Sequence, residues 1–192
     1  INQNMKKRFF TFLIIAFAAM TSVQAQKTVS GVKLDASITV EGKSLTLNGA
    51  GIREKFWIDL YVGSLYLPKK SSNAAEIINS SDAAVIKLDI VSGMITSEKM
   101  INAVDEGFQN STGGNTAPLK TKIDQFKSFF KDKFNKGDSF WIANVPGSGV
   151  VVYKNGTKKG VIEGLDFKKA LFGIWLSNKP ADKDLKNSML GK

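Results

Sequence analysis

The segment that most constrains the fold runs from residue 56 to residue 67, FWIDLYVGSLYL, and stops at Pro68. In an extended chain Ile58, Leu60 and Val62 share one side, and Trp57, Asp59, Tyr61, Gly63, Leu65 and Leu67 share the other. Both sides are largely apolar, the pattern of a strand covered on two faces. A chain built around such a strand must supply something to lie against each of them.

The remaining sequence supplies strands first and helices next. Residues 32–40 alternate as a strand, EGKS at 41–44 is a turn signal, and 45–47 resume the extended pattern. Residues 48–55 lead into the apolar segment, 74–79 suit a short helix, and 83–91 read as another strand. Thr96 caps a helix with Glu98 in its first turn and Ile101, Val104 and Phe108 on one face. After a loop at 110–118 (NSTGGNTAP), a second helix is predicted to carry Leu119, Ile123, Phe126, Phe130 and Phe134 as one core stripe. Strands return at 139–145, 149–154 and 160–163, with Asn155-Gly156 as a hairpin turn. A helix from near Asp166 buries Phe167, Ala170, Leu171, Ile174 and Trp175, and a short helix over 182–190 closes the chain. There is no internal repeat and no linker. The order predicts one α+β domain, an antiparallel sheet packed by segregated helices.

The first 25 residues are set apart from this domain. From Met5, a basic run of Lys6, Lys7 and Arg8 precedes an apolar stretch at 9–20, and Val23-Gln24-Ala25 offers a small-x-small cleavage site. That is the pattern of a secretory signal, and the apolar stretch is shorter than the roughly 20 residues of a membrane span. The expectation is a domain over 26–192, cleaved near Ala25-Gln26, periplasmic or secreted, with no stable membrane anchor afterwards. Residues 1–4 precede the expected start and are left out of the fold reading.

Composition excludes more than it suggests. The chain has no cysteine and no histidine. Disulfides, thiolate nucleophiles, thiolate or imidazole metal sites and Ser-His-Asp catalysis are therefore ruled out. The formal charge is +10, and setting aside the three positives of the signal leaves +7. The lysines are scattered and form no arginine cluster, so a solvated surface is expected and nucleic acid is not.

Arg53 is the sole arginine of residues 26–192. It follows Gly49-Ala50-Gly51, which permits close backbone approach, and leads into the apolar strand. Its planar fork suits a carboxylate or enolate. The competing reading is an ion pair with Glu54 or Asp59.

Residues 47–68, LNGAGIREKFWIDLYVGSLYLP, resemble the first signature of the chalcone isomerase-like superfamily, a Gly-Ala-Gly-x-Arg turn followed by a strand ending in Tyr-Leu. The late segment matches too. Val151-Val152-Tyr153-x-Asn155-Gly156, Gly160-Val161-Ile162-x-Gly164-x-Asp166-Phe167 and Ala170-Leu171-Phe172-x-Ile174-Trp175-Leu176 resemble the bacterial, exported branch of that group. The resemblance implies an open-faced β-sandwich, a large antiparallel sheet with a layer of helices.

Plant chalcone isomerases use five polar positions, and the resemblance carries them over one at a time. Arg53 matches the arginine. Tyr61 falls at the threonine position, Thr96 at the tyrosine, Ala103 (beside Asn102) at the asparagine, and Asp166 or Phe167 at the last hydroxyl. Only the arginine is kept, which argues against chalcone cyclisation. An Arg and Tyr pair resembles instead the family's non-catalytic fatty-acid-binding members, where the pair holds a carboxylate above an apolar cavity. Arg53 and Tyr61 are the implied ligand-binding residues, with a small amphipathic carboxylate as ligand, Phe56 and Trp57 as pocket lining, and no catalytic residue, cofactor or metal. A strand unbroken from position 53 would give Arg53, Trp57 and Tyr61 one side-chain parity, and a turn would remove it. Two rival readings stand beside this one: an isomerase or lyase acting on an enone-like substrate, and a structural or interaction protein without a ligand.

Overall fold

The computed structural model describes residues 27–192. The segment read as an export signal, with its cleavage site at Ala25-Gln26, lies outside the described residues. A small hairpin of β1 (Lys27–Val29) and β2 (Val32–Leu34) stands apart from the main sheet. That sheet holds seven antiparallel strands in sequence order: β3 (Ser37–Val40), β4 (Lys43–Lys55), β5 (Ile58–Leu67), β6 (Ala84–Ile90), β7 (Ser139–Val145), β8 (Gly149–Lys154) and β9 (Thr157–Ile162). The helices are α1 (Ala74–Asn79), α2 (Ser97–Ser111), α3 (Lys120–Ser128), α4 (Leu165–Leu176) and α5 (Lys183–Met189). This is the expected α+β architecture.

The doubly apolar strand has the two coverings its sequence demands. Tyr61, Leu65 and Leu67 of β5 belong to the main core, with Phe108 of α2, Phe126 of α3, Trp175 of α4 and Leu185 of α5. On the other face Tyr66 packs with Ile38, Val40 and Leu45, and Val62 packs with Leu34 and Ala50. Helices cover one side of the sheet, and β1, β2, β3 and the start of β4 cover the other.

Three expectations are corrected. Residues 32–40 are two strands in different sheets, because Asp35 and Ala36 spend their carbonyls sideways, on the Tyr66 hydroxyl (3.1 Å) and the Leu47 amide (2.9 Å). Residues 48–55 are no lead-in but the second half of β4, which reaches Lys55. The phenylalanine helix stops at Ser128, where the Phe129 and Phe130 amides turn back to Phe126 and Lys127 carbonyls (both 3.1 Å). Phe130 and Phe134 lie beyond the helix but stay buried, Phe130 against Phe126 (4.9 Å between centroids) and Phe134 against Phe140 (5.0 Å). Aromatic packing, not helical period, places them.

The most deeply buried charge among the described residues has no signal in the sequence. Lys168 of α4 is 1% exposed, and its Nζ donates to the carbonyls of Ile77, Ile78 and Ser80 at 2.5, 3.0 and 2.8 Å. It closes the C-terminal end of α1, where unpaired carbonyls favour a cation. Burial pushes its pKa down to about 8.

Candidate functional site

Three glycines build the platform on which the site rests. A Cβ at Gly49 would lie 2.1 Å from the Ser188 carbonyl oxygen, and one at Gly51 would lie 2.5 Å from the Ser188 Cβ. A Cβ at Gly63 would lie 3.0 Å from Leu185 Cδ1. The Gly-Ala-Gly stretch therefore serves close backbone approach, and what approaches is α5. Asn48 fastens the helix down: its amide nitrogen donates to the Met189 carbonyl (2.8 Å) and the Ser71 carbonyl (3.0 Å), and its oxygen accepts from the Ser71 amide (2.8 Å).

Arg53 and Tyr61 lie at the edge of this platform. The chain reverses at Phe56-Trp57, so Arg53, Trp57 and Tyr61 do not share a strand, and the parity argument does not apply. Arg53 and Tyr61 are instead direct partners across the β4–β5 ladder, which sets their side chains on one face.

The Arg53 guanidinium reaches Asp182, its Nη1 lying 3.0 Å from Oδ2, and also donates to the Glu54 backbone carbonyl at 2.7 Å. The two side chains are 20% and 16% exposed, so the pair is largely withdrawn from water. The partner suggested by sequence, Glu54 or Asp59, is corrected. Glu54 contributes only its backbone, and Asp59 accepts from the Ser30 hydroxyl (2.7 Å). Asp182 does double duty, since its other oxygen accepts from the Leu185 amide (2.9 Å) as the N-cap of α5.

Tyr61 is buried, and its hydroxyl accepts a hydrogen bond from Trp175 Nε1 (3.0 Å). Burial raises the phenol's pKa, Trp175 and Arg53 act against the shift, and Asp182 adds to it. The phenol is held neutral. Arg53, Tyr61, Trp175 and Asp182 thus form one polar cluster at the margin of the main core. Trp175 was legible only as a core residue and Asp182 only as a helix start. The sequence marks Asp182 only as a helix N-cap, and its pairing with Arg53 follows from where α5 docks.

The other positions from the family comparison serve elsewhere. Thr96 caps α2, accepting from the Lys99 amide (3.2 Å). Asn102 and Ala103 are exposed. Asp166 pairs with Lys122 at 2.9 Å, and Phe167 is buried against Phe108 and Phe126. The expectation that Phe56 and Trp57 line a pocket is overturned: they form the tip of the hairpin and are 78% and 91% exposed. Two clefts of about 360 Å³ each, one beside α1 and one between the β3–β4 turn and β7–β8, touch neither Arg53 nor Tyr61.

The comparisons agree with this architecture. The chalcone isomerase-like family matches over residues 26–191, and the chain belongs to it. Among solved structures, the chain is similar to the Arabidopsis thaliana fatty-acid binding protein, with a TM-score of 0.66 and 18% identity over 85% of this chain and 95% of that one. At that identity the likeness is one of fold. No curated protein matches the sequence.

Proposed function

We propose that this is an exported, non-catalytic chalcone isomerase-like protein that binds a small amphipathic carboxylate, a fatty acid being the leading candidate, with its head group on Arg53 and Tyr61. The observation that carries the reading is the carboxylate already there. Asp182 lies on Arg53 beside a neutral phenol, so the cluster has the charge and donors to hold a ligand carboxylate. The fatty-acid-binding neighbour of the same fold supports the choice of ligand class. Thr96 and Asp166, at positions that carry hydroxyls in the plant enzymes, are engaged in a helix cap and an ion pair, which favours binding over cyclisation.

The geometry sets the terms of binding. A ligand carboxylate must displace Asp182, and its tail must open room between the sheet and the helices, since α5 packs directly on Gly49, Gly51 and Gly63 and neither cleft reaches Arg53 or Tyr61. Titration of palmitate into the wild type, Arg53→Lys, Tyr61→Phe and Asp182→Asn tests this. Arg53→Lys keeps the charge but loses the fork and should weaken binding at least about tenfold. Tyr61→Phe should weaken it less. Asp182→Asn keeps a competent helix cap and removes the competing charge, so affinity should rise. Equal affinity in all four proteins would sink the head-group assignment. N-terminal sequencing of the mature protein tests export, with Gln26 as the expected first residue.

A further inference from the structure

The tip of the β4–β5 hairpin breaks two rules at once. Phe56 and Trp57 both hold positive φ, 53° and 59°, a region that bulky residues rarely adopt and that hairpin turns normally give to Asn and Gly. They are also the two most exposed of the large hydrophobic side chains among the described residues, at 78% and 91%. Strained backbone and solvated aromatic surface are both unfavourable in the isolated fold, and such features cluster at working surfaces.

The surroundings add charge to that apolar surface. The loop after β6 is tied to the hairpin, the Val91 and Ser92 amides donating to the Leu60 carbonyl at 3.1 and 3.2 Å. It presents Met94, 53% exposed, at the same end of the sheet. The loop before β7 arrives there too, through the Gly137 amide on the Ile90 carbonyl (2.8 Å). It carries Lys131, Lys133 and Lys136, all exposed and without an ion-pair partner among the described residues, while its Asp132 is paired with Lys159 (2.9 Å). Lys55, also exposed, holds its ammonium 5.7 Å from the Phe56 ring centroid. Acids at this end are Glu54, Glu98 and Asp184, all exposed, and the half-buried Asp59, which accepts from the Ser30 hydroxyl (2.7 Å). An apolar tip with a tryptophan, at an end of the sheet that also carries lysines without ion-pair partners among the described residues, is complementary to an interface whose headgroups are anionic and whose interior is apolar.

We infer that this end of the sheet docks on an anionic lipid bilayer, with Phe56 and Trp57 inserted at the headgroup level and the lysines of the 131–136 loop against the surface. The docking surface does not depend on the carboxylate site, although that site lies on the same hairpin, Arg53 being three residues from Phe56.

The test reads Trp57 itself in the full chain, so that any contribution of the N-terminal segment to sedimentation does not decide it. The emission component that disappears in Trp57→Phe is followed as vesicles with acyl-chain-brominated lipid are added. The vesicles are either mixed phosphatidylglycerol and phosphatidylethanolamine or phosphatidylcholine alone. Quenching of that component on the anionic vesicles is expected, shifting to about tenfold more lipid or beyond when Lys131, Lys133 and Lys136 are changed together to serine. Phosphatidylcholine should quench weakly. A Trp57 component that stays unquenched would overturn the inference, whether or not the chain sediments with vesicles. So would concentration-dependent self-association that buries Trp57 without lipid. Vesicle docking without palmitate binding, or the reverse, shows which of the two readings has failed.

Discussion

The β4–β5 and β8–β9 hairpins both reverse over two residues of positive φ, Phe56-Trp57 at 53° and 59° and Asn155-Gly156 at 51° and 78°. Both are two-residue loops between directly paired strands, Lys55 with Ile58 and Lys154 with Thr157. At the second turn the residues suit the backbone and also hold neighbours: the Asn155 oxygen accepts from the Ser139 amide (2.8 Å), and its amide donates to Asp138 (2.9 Å). At the first turn the residues oppose the backbone, and both side chains face solvent. Similar geometry with opposite chemistry separates a turn whose side chains stabilise the fold from one whose side chains are left to solvent.

The largest expected effect comes from making the good turn resemble the poor one. Asn155→Phe with Gly156→Trp places two bulky residues at positive φ and removes the Asn155 side-chain bonds to the Ser139 amide and Asp138. A loss of about 2–4 kcal/mol is expected in urea denaturation. A loss below about 0.5 kcal/mol would show that this sheet does not resist such residues, and Phe56-Trp57 would then need no special explanation.

Asn155→Ala isolates the side-chain part, with an expected loss of about 1–2 kcal/mol at neutral pH. It also carries a pH signature. Burial of Asp138 acts to raise its pKa, but hydrogen bonds from Asn155 and the Asn135 amide, with Lys154 nearby, hold it below 3.8. A carboxylate depressed in the folded state contributes stability above its unfolded pKa and loses it as pH falls through the folded value. The difference between wild type and Asn155→Ala should therefore be full at neutral pH and shrink below about pH 4. A difference that stays flat down to pH 2 would remove Asp138 from the account.

The two turns also show what was legible beforehand. Asn155-Gly156 announced its hairpin because local preference and tertiary structure agree there. Phe56-Trp57 read as the start of a strand because aromatic residues favour strands and nothing in the pair signals a reversal. The site divides in the same way. Arg53 and the glycines before it stood out by residue type, and close approach at Gly49 and Gly51 follows from the missing Cβ. Asp182 and Trp175 could not be paired with Arg53 and Tyr61 from sequence, since each pair is joined across more than a hundred residues by the docking of α4 and α5. The core stripe from Leu119 to Phe134 was correct in its residues and wrong in its helix, because burial of rings constrains their positions without requiring one backbone period.

The smallest expected effect is the most diagnostic. Phe56→Asn with Trp57→Gly gives the first turn the residues of the second. The backbone there already has the required dihedrals, so no rearrangement is needed, and the favoured residues relieve the strain of bulky side chains at positive φ. The exposed rings bury little, so little packing is lost with them. Phe56 does lose the Lys55 ammonium, 5.7 Å from its ring centroid, an exposed contact worth about 0.5–1 kcal/mol at most. Glycine at position 57 also gives the unfolded chain more freedom, which offsets part of the gain. The balance should be a gain of about 0.5–1 kcal/mol in urea, without change in the denaturant slope. In the same protein, binding to anionic vesicles should fall at least about tenfold, since two aromatic anchors are gone. More stable but no longer bound to the vesicle is the combination expected if the tip is kept for its contact. A variant that is less stable than wild type and still binds the bilayer would show that Phe56 and Trp57 support the hairpin and not the interface.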